Sequence, residues 1–306
     1  MKQLKRLGTA PTQDPFRMAQ RSLLRSVTLS EEQFKALVRE HPDHIVVESA
    51  TALIAQPRQG RIDLHYAFPG RDAFANTFPR LLERLLPALR QEEAPFGCWL
   101  RLTDRTSRPF IEPVLFAHAF EISREWMEMV LVELPDVGAA ADEVAPGYVL
   151  RPASPDDAEA IVQLEELAFP SPALTVELAQ EAMQAAPVFR VLEERKSGAL
   201  VGSLVLERRP AATGHIANIA VHPDEQRRGL GEAMMRWALA WAKREGLRRA
   251  TLGVSIDNTA AIALYRKLGF VPGELGIDYR RPIDEEEVRQ VLDKHRASHI
   301  SVRKRY

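Results

Sequence analysis

Cysteine is nearly absent. The one residue in 306, Cys98, cannot form an internal bridge, which excludes a disulfide-stapled module. It lies in the apolar run 96–102, where a buried structural thiol is expected rather than a nucleophile. Long apolar runs are also missing: no stretch approaches the roughly 18 apolar residues of a membrane span. The basic start Met1–Arg6 leads into Gly8-Thr9-Ala10-Pro11 instead of the apolar segment of a secretory signal. A soluble, cytoplasmic chain is the expectation. Neither charge dominates, since 41 Lys and Arg against 42 Asp and Glu give a net charge of −1 and no field for gripping a polyanion. Basic pairs such as Arg208-Arg209, Arg248-Arg249 and Arg280-Arg281 are interspersed with acids. Nucleic acid and membrane are therefore not expected partners, and no metal is expected.

The chain does have the means to build ordinary cores, with 45% hydrophobic and 27% charged residues. Its length is about twice a usual domain of roughly 100–150 residues, which predicts two domains. The clearest break is the small, acidic, proline-bracketed stretch 135–147, read as a linker between a domain at 1–134 and another at 148–306. In the first half, Ser30-Glu31-Glu32-Gln33 is a capping box opening a helix to about 41. Strands at 45–47, 52–56 and 62–68 follow, then a helix at 72–90, a strand at 98–103, a helix at 109–119 and a strand at 126–134. The second half reads as a strand at 148–151, helices at 154–168 and 176–185, and a meander at 188–193, 200–207 and 215–221. A helix at 231–244, a strand at 250–254, a helix at 259–268 and a strand at 274–280 complete it. Asp284 with Glu287 marks a further capping box before a terminal helix and the basic tail Arg303-Lys304-Arg305-Tyr306. Shifting 108–120 by about 150 lands on 258–270, both a turn, a helix and a phenylalanine, which predicts an ancient duplication.

The informative segment is Ile219-Ala220-Val221 followed by Gln226-Arg227-Arg228-Gly229-Leu230-Gly231-Glu232. A buried strand runs into a loop of two arginines and two glycines that opens a long helix. Amides at a helix start have no intrahelical partners and carry about half a positive charge, and glycine lets an anion approach the backbone. Met234 rules out the Gly-x-Gly-x-x-Gly dinucleotide fingerprint, and no Gly-Lys-Ser/Thr of a Walker loop follows.

These residues resemble the GNAT superfamily of CoA-dependent N-acetyltransferases, whose Gln/Arg-x-x-Gly-x-Gly/Ala motif is matched by Gln226-x-x-Gly229-x-Gly231. Asn258-Thr259-Ala260-Ala261-Ile262-Ala263-Leu264-Tyr265-Arg266-Lys267-Leu268-Gly269-Phe270 is similar to the family's second motif, and the two cover about 160 residues with their flanks. The resemblance implies two tandem α/β sandwich domains, each a mixed, mostly antiparallel sheet flanked by helices, packed as a pseudo-dimer within a monomer or homodimer. It implies acetyl-CoA as co-substrate and a small-molecule or peptide amine as acceptor. Backbone of Ile219, Ala220 and Val221 would pair with the pantetheine arm. Gln226 completes the motif, and amides from Arg227 through Arg228, Gly229 and Leu230 to Gly231, with Glu232, would hold the diphosphate. Asn258 would touch the arm, and Tyr265 would reach the thioester sulfur.

Related N-terminal acetyltransferases of the ribosomal alanine type place a carboxylate where this chain has Gly253, which leaves His215, Glu207, Asp257 and Asp278 as unranked candidate bases. The tandem layout also resembles mycothiol synthase, which acetylates a cysteinyl-sugar amine. In the first half, Leu115 faces Tyr265 in the repeat alignment, and Ala75 and Thr77 face Gly229 and Gly231. That half is expected to have lost CoA binding, with Asp63–Tyr66 and Arg105–Pro109 either walling the acceptor pocket or, the favoured reading, preserving its fold. A CoA sensor without turnover is the rival reading.

Overall fold

The structure, a computed structural model, describes residues 22–26, 29–58, 60–92, 97–136, 142–169 and 174–303, with side chains to residue 296. The basic start, Phe96, residues 137–141 of the expected linker and the end of the basic tail lie outside them. In chain order the elements are β1 (Leu24–Ser26), α1 (Glu31–Glu40), β2 (Ile45–Glu48), β3 (Thr51–Arg58), β4 (Arg61–Phe68), α2 (Arg71–Leu89), β5 (Cys98–Leu102), α3 (Arg108–Ala117) and β6 (Glu121–Leu131). There follow β7 (Glu143–Ala145), β8 (Tyr148–Pro152), α4 (Ala158–Ala168), α5 (Val176–Ala185), β9 (Val188–Glu194), β10 (Leu200–Arg209) and β11 (Thr213–Val221). The remainder is α6 (Leu230–Arg244), β12 (Arg249–Ser255), α7 (Thr259–Lys267), β13 (Val271–Arg281) and α8 (Glu285–Arg303). No helix among the described residues is long and apolar enough to cross a membrane.

The chain divides into two compact units, residues 1–125 with 275–306, and residues 126–274. This division does not follow the break read at 135–147. Most of β13 and all of α8 belong to the first unit, the last six residues of β6 belong to the second, and part of the expected linker is strand β7.

In the first unit the sheet runs β2-β3-β4-β5-β13, antiparallel except for the β4–β5 pair. Helix α2 turns Phe74, Phe78, Leu81, Leu82, Leu85 and Leu89 into the core, at the i, i+4, i+7 spacing of one helical face. Cys98 is fully buried there, and burial pushes its thiol up to about 12, which makes it inert.

Asp278, one of the candidate bases, accepts from Arg101 Nε at 2.7 Å and Nη2 at 3.0 Å, and from Arg124 Nε at 3.0 Å. Burial alone would raise its pKa. The two guanidiniums outweigh that and hold the carboxyl below the usual carboxylate range. A carboxylate fixed as an ion by two arginines is a poor proton acceptor, so Asp278 is a structural anion. Removing one partner of a buried ion pair costs about 3–5 kcal/mol. Both arginines keep partial access to water, with side chains 41% and 54% exposed. Asp278→Ala is therefore expected to lose about 3 kcal/mol, the low end of that range, in urea unfolding at pH 7. Because the folded pKa is depressed, this stabilisation is present above the unfolded value near 3.9 and is lost as pH falls below that toward and through the lower folded value.

In the second unit the order is β6-β12-β11-β10-β9-β8-β7, with β11–β12 the parallel pair. Helix α6 covers one face, burying Leu230, Met234, Trp237, Ala238 and Trp241 against Leu204, Ile216, Leu252 and Val254. Helix α4 lies on the other face. It is entered by a reciprocal Ser154–Asp157 capping box and a short 3₁₀ turn, Pro155–Asp157, with the Arg151 guanidinium forked onto Asp157 at 2.8 Å.

Candidate active site

The site begins where two strands part. Parallel pairing of β11 with β12 runs from Thr213–Arg249 to Ile216–Leu252 and ends there. At the same level the β10–β11 register slips, Val205 facing Asn218 and Leu206 facing Ile216, so Ala217 is the extra residue of a β-bulge. A bulge bends its strand and breaks the ladder locally, which accounts for the separation. Beyond it, residues 218–221 pair, among the described residues, with β10 alone. His222 N bonds Val201 O, so by antiparallel alternation the amides and carbonyls of Ile219 and Val221 face away from β10, toward the opening.

The chain then turns through Pro223–Glu225 and reaches Arg227 at φ 62° and Gly229 at φ 81°. A left-handed arginine is strained by roughly 1–2 kcal/mol, and such backbone turns successive amides to one side. Gly229 caps α6 with no side chain. The first helical bond runs from Ala233 N to Gly229 O, and the six amides from Arg227 to Glu232 make no hydrogen bond to any described residue. Bare amides, a helix N-terminus and an opened strand edge thus adjoin in one loop. Gln226 closes it by donating its side-chain amide to Val221 O at 3.1 Å.

The charged side chains are arranged unequally. Arg228 pairs with Glu225 and lies 5.4 Å over the Tyr148 ring, whose hydroxyl donates to Glu225 at 2.7 Å. Arg227 is exposed and has no acidic partner among the described residues. The Glu232 carboxylate is taken by Lys267 at 2.5 Å and Arg236 at 2.8 Å, which hold it below its ordinary range and leave only its amide for an anion. Asn258 is the N-cap of α7, its Oδ1 accepting from Ala261 N at 3.1 Å. Tyr265 is buried on α7 beside Phe270, and burial raises its phenol to about 12.

The remaining candidate bases separate clearly. Asp257 is exposed, and Glu207 meets Arg209 at 3.4 Å with half its side chain in water. His215 lies on the face of β11 opposite α6, bonded through Nδ1 to Thr251 Oγ1 at 2.9 Å, and burial, then Arg209, push it down to about 4. The sequence reading missed Glu165. This residue of α4 is 7% exposed, and its Oε1 accepts from Ser203 at 2.8 Å and from Asn218 at 2.6 Å. Burial raises its pKa against those two donors, and Oε2 has no partner among the described residues. Asn218 follows the bulged Ala217, so this carboxyl is held beside the bulge in β11. The signal was available: Ala158, Ile161 and Glu165 share the core-facing phase of α4.

The first unit contains the same parting of strands, and there it is filled. β4 pairs with β5 only from Ile62–Cys98 to Leu64–Leu100. Farther along, Tyr66 and Ala67 pair with β3 on one side and with β1 on the other, Ser26 facing Tyr66 and Arg25 facing Ala67. The three-residue strand β1 thus occupies the slot, and His65 Nδ1 lies 3.1 Å from the Ser26 carbonyl. Two residues, Pro69 and Gly70, join β4 to α2, against eight between β11 and α6, so no comparable loop forms there. Leu115, opposite Tyr265 in the repeat, is core.

Residues 158–270 match the acetyltransferase (GNAT) family model. Mycothiol acetyltransferase of Geodermatophilus obscurus is 40% identical over 72 residues, 24% of this chain and 23% of that enzyme. The ribosomal protein bS18 alanine N-acetyltransferase of Escherichia coli is 40% identical over 70 residues, 23% of this chain and 47% of that enzyme. The matched stretch thus spans less than half the length of either relative. Over the whole fold, the chain is similar to a tandem GNAT protein from the clavulanic acid biosynthesis pathway, with TM-score 0.59, 17% identity, and 88% and 94% of the two chains covered.

Proposed function

We propose that this chain, whose residues 158–270 form a domain of the acetyltransferase (GNAT) family, moves an acetyl group from acetyl-CoA to a primary amine by direct attack on the thioester. The observation that carries this reading is the adjacency of the bare β11 edge at 217–221 to the unengaged amides 227–232. The Ile219 amide and carbonyl and the Val221 amide pair with the pantetheine arm as an added strand would, the Val221 carbonyl being held by Gln226, with Ala220 between them. The diphosphate rests on the loop amides, with Arg227 at the rim. Gln226 and Arg228 hold the loop in shape.

The amine lone pair attacks the thioester carbonyl, the C–N bond forms, the C–S bond breaks, and the amine's proton passes to Glu165 Oε2. Tyr265 donates a hydrogen bond to the departing thiolate. Complete transfer from a phenol at about 12 to a thiol near 8.5 is uphill by roughly 3.5 units, about 5 kcal/mol, so the hydrogen bond is the role assigned. Tyr265→Phe is expected to lower kcat roughly 10- to 100-fold, the effect of one charge-assisted bond, with acetyl-CoA affinity unchanged by calorimetry.

An α-amine is the favoured acceptor class. Deprotonating one near 8 at pH 7 costs about 1.4 kcal/mol, against about 4.6 for a lysine amine. Both curated relatives bear acetyltransferase names, one for mycothiol and one for a ribosomal alanine, and the acceptor here is sought among cysteinyl sugars and peptide N-termini. We read the two units as copies of one ancestral domain, the first with its slot closed by β1. The test is thiol release from acetyl-CoA against a panel of α-amines, cysteinyl sugars and peptides. Release with at least one of them supports transfer, and tight binding without release from any of them supports a sensor.

A further inference from the structure

A second constellation lies in the first unit, outside everything used above. The turn after α1, His41-Pro42-Asp43-His44, is a single 3₁₀ turn closed by His44 N to His41 O at 3.1 Å, with Pro42 at its first position. His41 N is also fixed, to Leu37 O at 2.8 Å. Both imidazoles reach one carboxylate just past α2: Glu92 Oε1 is 3.3 Å from His41 Nδ1 and 3.2 Å from His44 Nε2. The three donor atoms all lie within 4.8 Å of one another. They border a cleft of about 400 Å³ that Glu40 and Asp43 also line.

We propose that His41, His44 and Glu92 form a site for a divalent transition ion of zinc type, with water from the cleft as the fourth ligand. Bonds of about 2.0–2.2 Å at tetrahedral angles put neighbouring ligand atoms roughly 3.3–3.5 Å apart, close to the two distances present, and two imidazoles with one carboxylate are the donors such ions favour. The protons of this donor set also argue for a cation. His44 is 3% exposed, and its Nδ1 makes no hydrogen bond among the described residues. If Nε2 carries the proton, Nδ1 is a buried bare lone pair; if Nδ1 carries it, the Nε2 lone pair faces the carboxylate. A metal at Nε2 fixes the second tautomer and removes that opposition.

The site makes no use of acetyl-CoA, so its test is independent of the acyltransfer reading. The untagged full chain is dialysed against Zn²⁺ and its metal content measured. Co²⁺ substitution then reads coordination by visible absorption. About one equivalent of zinc and an intense tetrahedral cobalt spectrum are expected. Loss of a ligand in His41→Ala or Glu92→Gln should weaken binding by more than the roughly 10- to 100-fold that an outer partner costs. His41 and Glu92 side chains are 36% and 25% exposed, so both variants should fold, which far-UV circular dichroism checks. Wild-type protein that takes up no zinc, or folded variants that bind it as the wild type does, would overturn the assignment.

Discussion

Gly231→Trp is expected to weaken acetyl-CoA binding about 1,000-fold while leaving the fold intact. A Cβ on Gly231 would sit 3.7 Å from Leu264 Cδ2 and 3.9 Å from Val221 Cγ2, ordinary contacts on the inner side. A methyl group is therefore accommodated, and Gly231→Ala should bind nearly as the wild type. An indole has no room inward and must project over the unengaged amides. Two lost charge-assisted bonds of about 2 kcal/mol each correspond to that thousandfold change. Calorimetry with acetyl-CoA reads the affinity, and thermal unfolding reads the fold. Equal affinities for wild type and Gly231→Trp would remove the loop from the binding site.

Glu165→Gln should cut kcat by about 10²- to 10⁴-fold, the usual contribution of a general base, with acetyl-CoA affinity unchanged. The carboxamide keeps the shape but has no carboxylate to receive the amine's proton. In the wild type, the rate should rise with pH through a pKa above the ordinary glutamate value, because burial raises it. That limb should vanish in Glu165→Gln and return in Glu165→Asp. A variant that merely disturbs packing would lower activity without removing the pH limb, so the profile distinguishes a proton acceptor from a buried structural acid. His215, pushed down to about 4, is a weaker acceptor for an ammonium proton, and its replacement by Gln should cost less.

The conformation of the 226–231 loop was legible in the sequence because its determinants are local: Gly229 permits the left-handed turn, and the helix starts beside it. Most strands and helices were legible for the same reason, through capping residues and apolar spacing. What escaped depends on distant partners. Strand β1 is three residues long, with no periodicity to mark it, and exists through its register with β4. Asp278 became a candidate base because its arginines lie 177 and 154 residues away in sequence. The exchange of β6 and β13 residues between units is set by pairing, which composition at 135–147 does not encode. Arg227 and Arg228 are neighbours of the same type but differ in their contacts, since only Arg228 pairs with Glu225.

Backbone amide exchange, followed by mass spectrometry with and without acetyl-CoA, tests the central claim most directly. The account predicts one cofactor per chain, with protection concentrated at 217–221 and 227–232 and none gained at Tyr66–Phe68, where β1 already fills the slot. Protection appearing at the first unit's slot instead, or binding that leaves 227–232 exchanging as in the free protein, would contradict it.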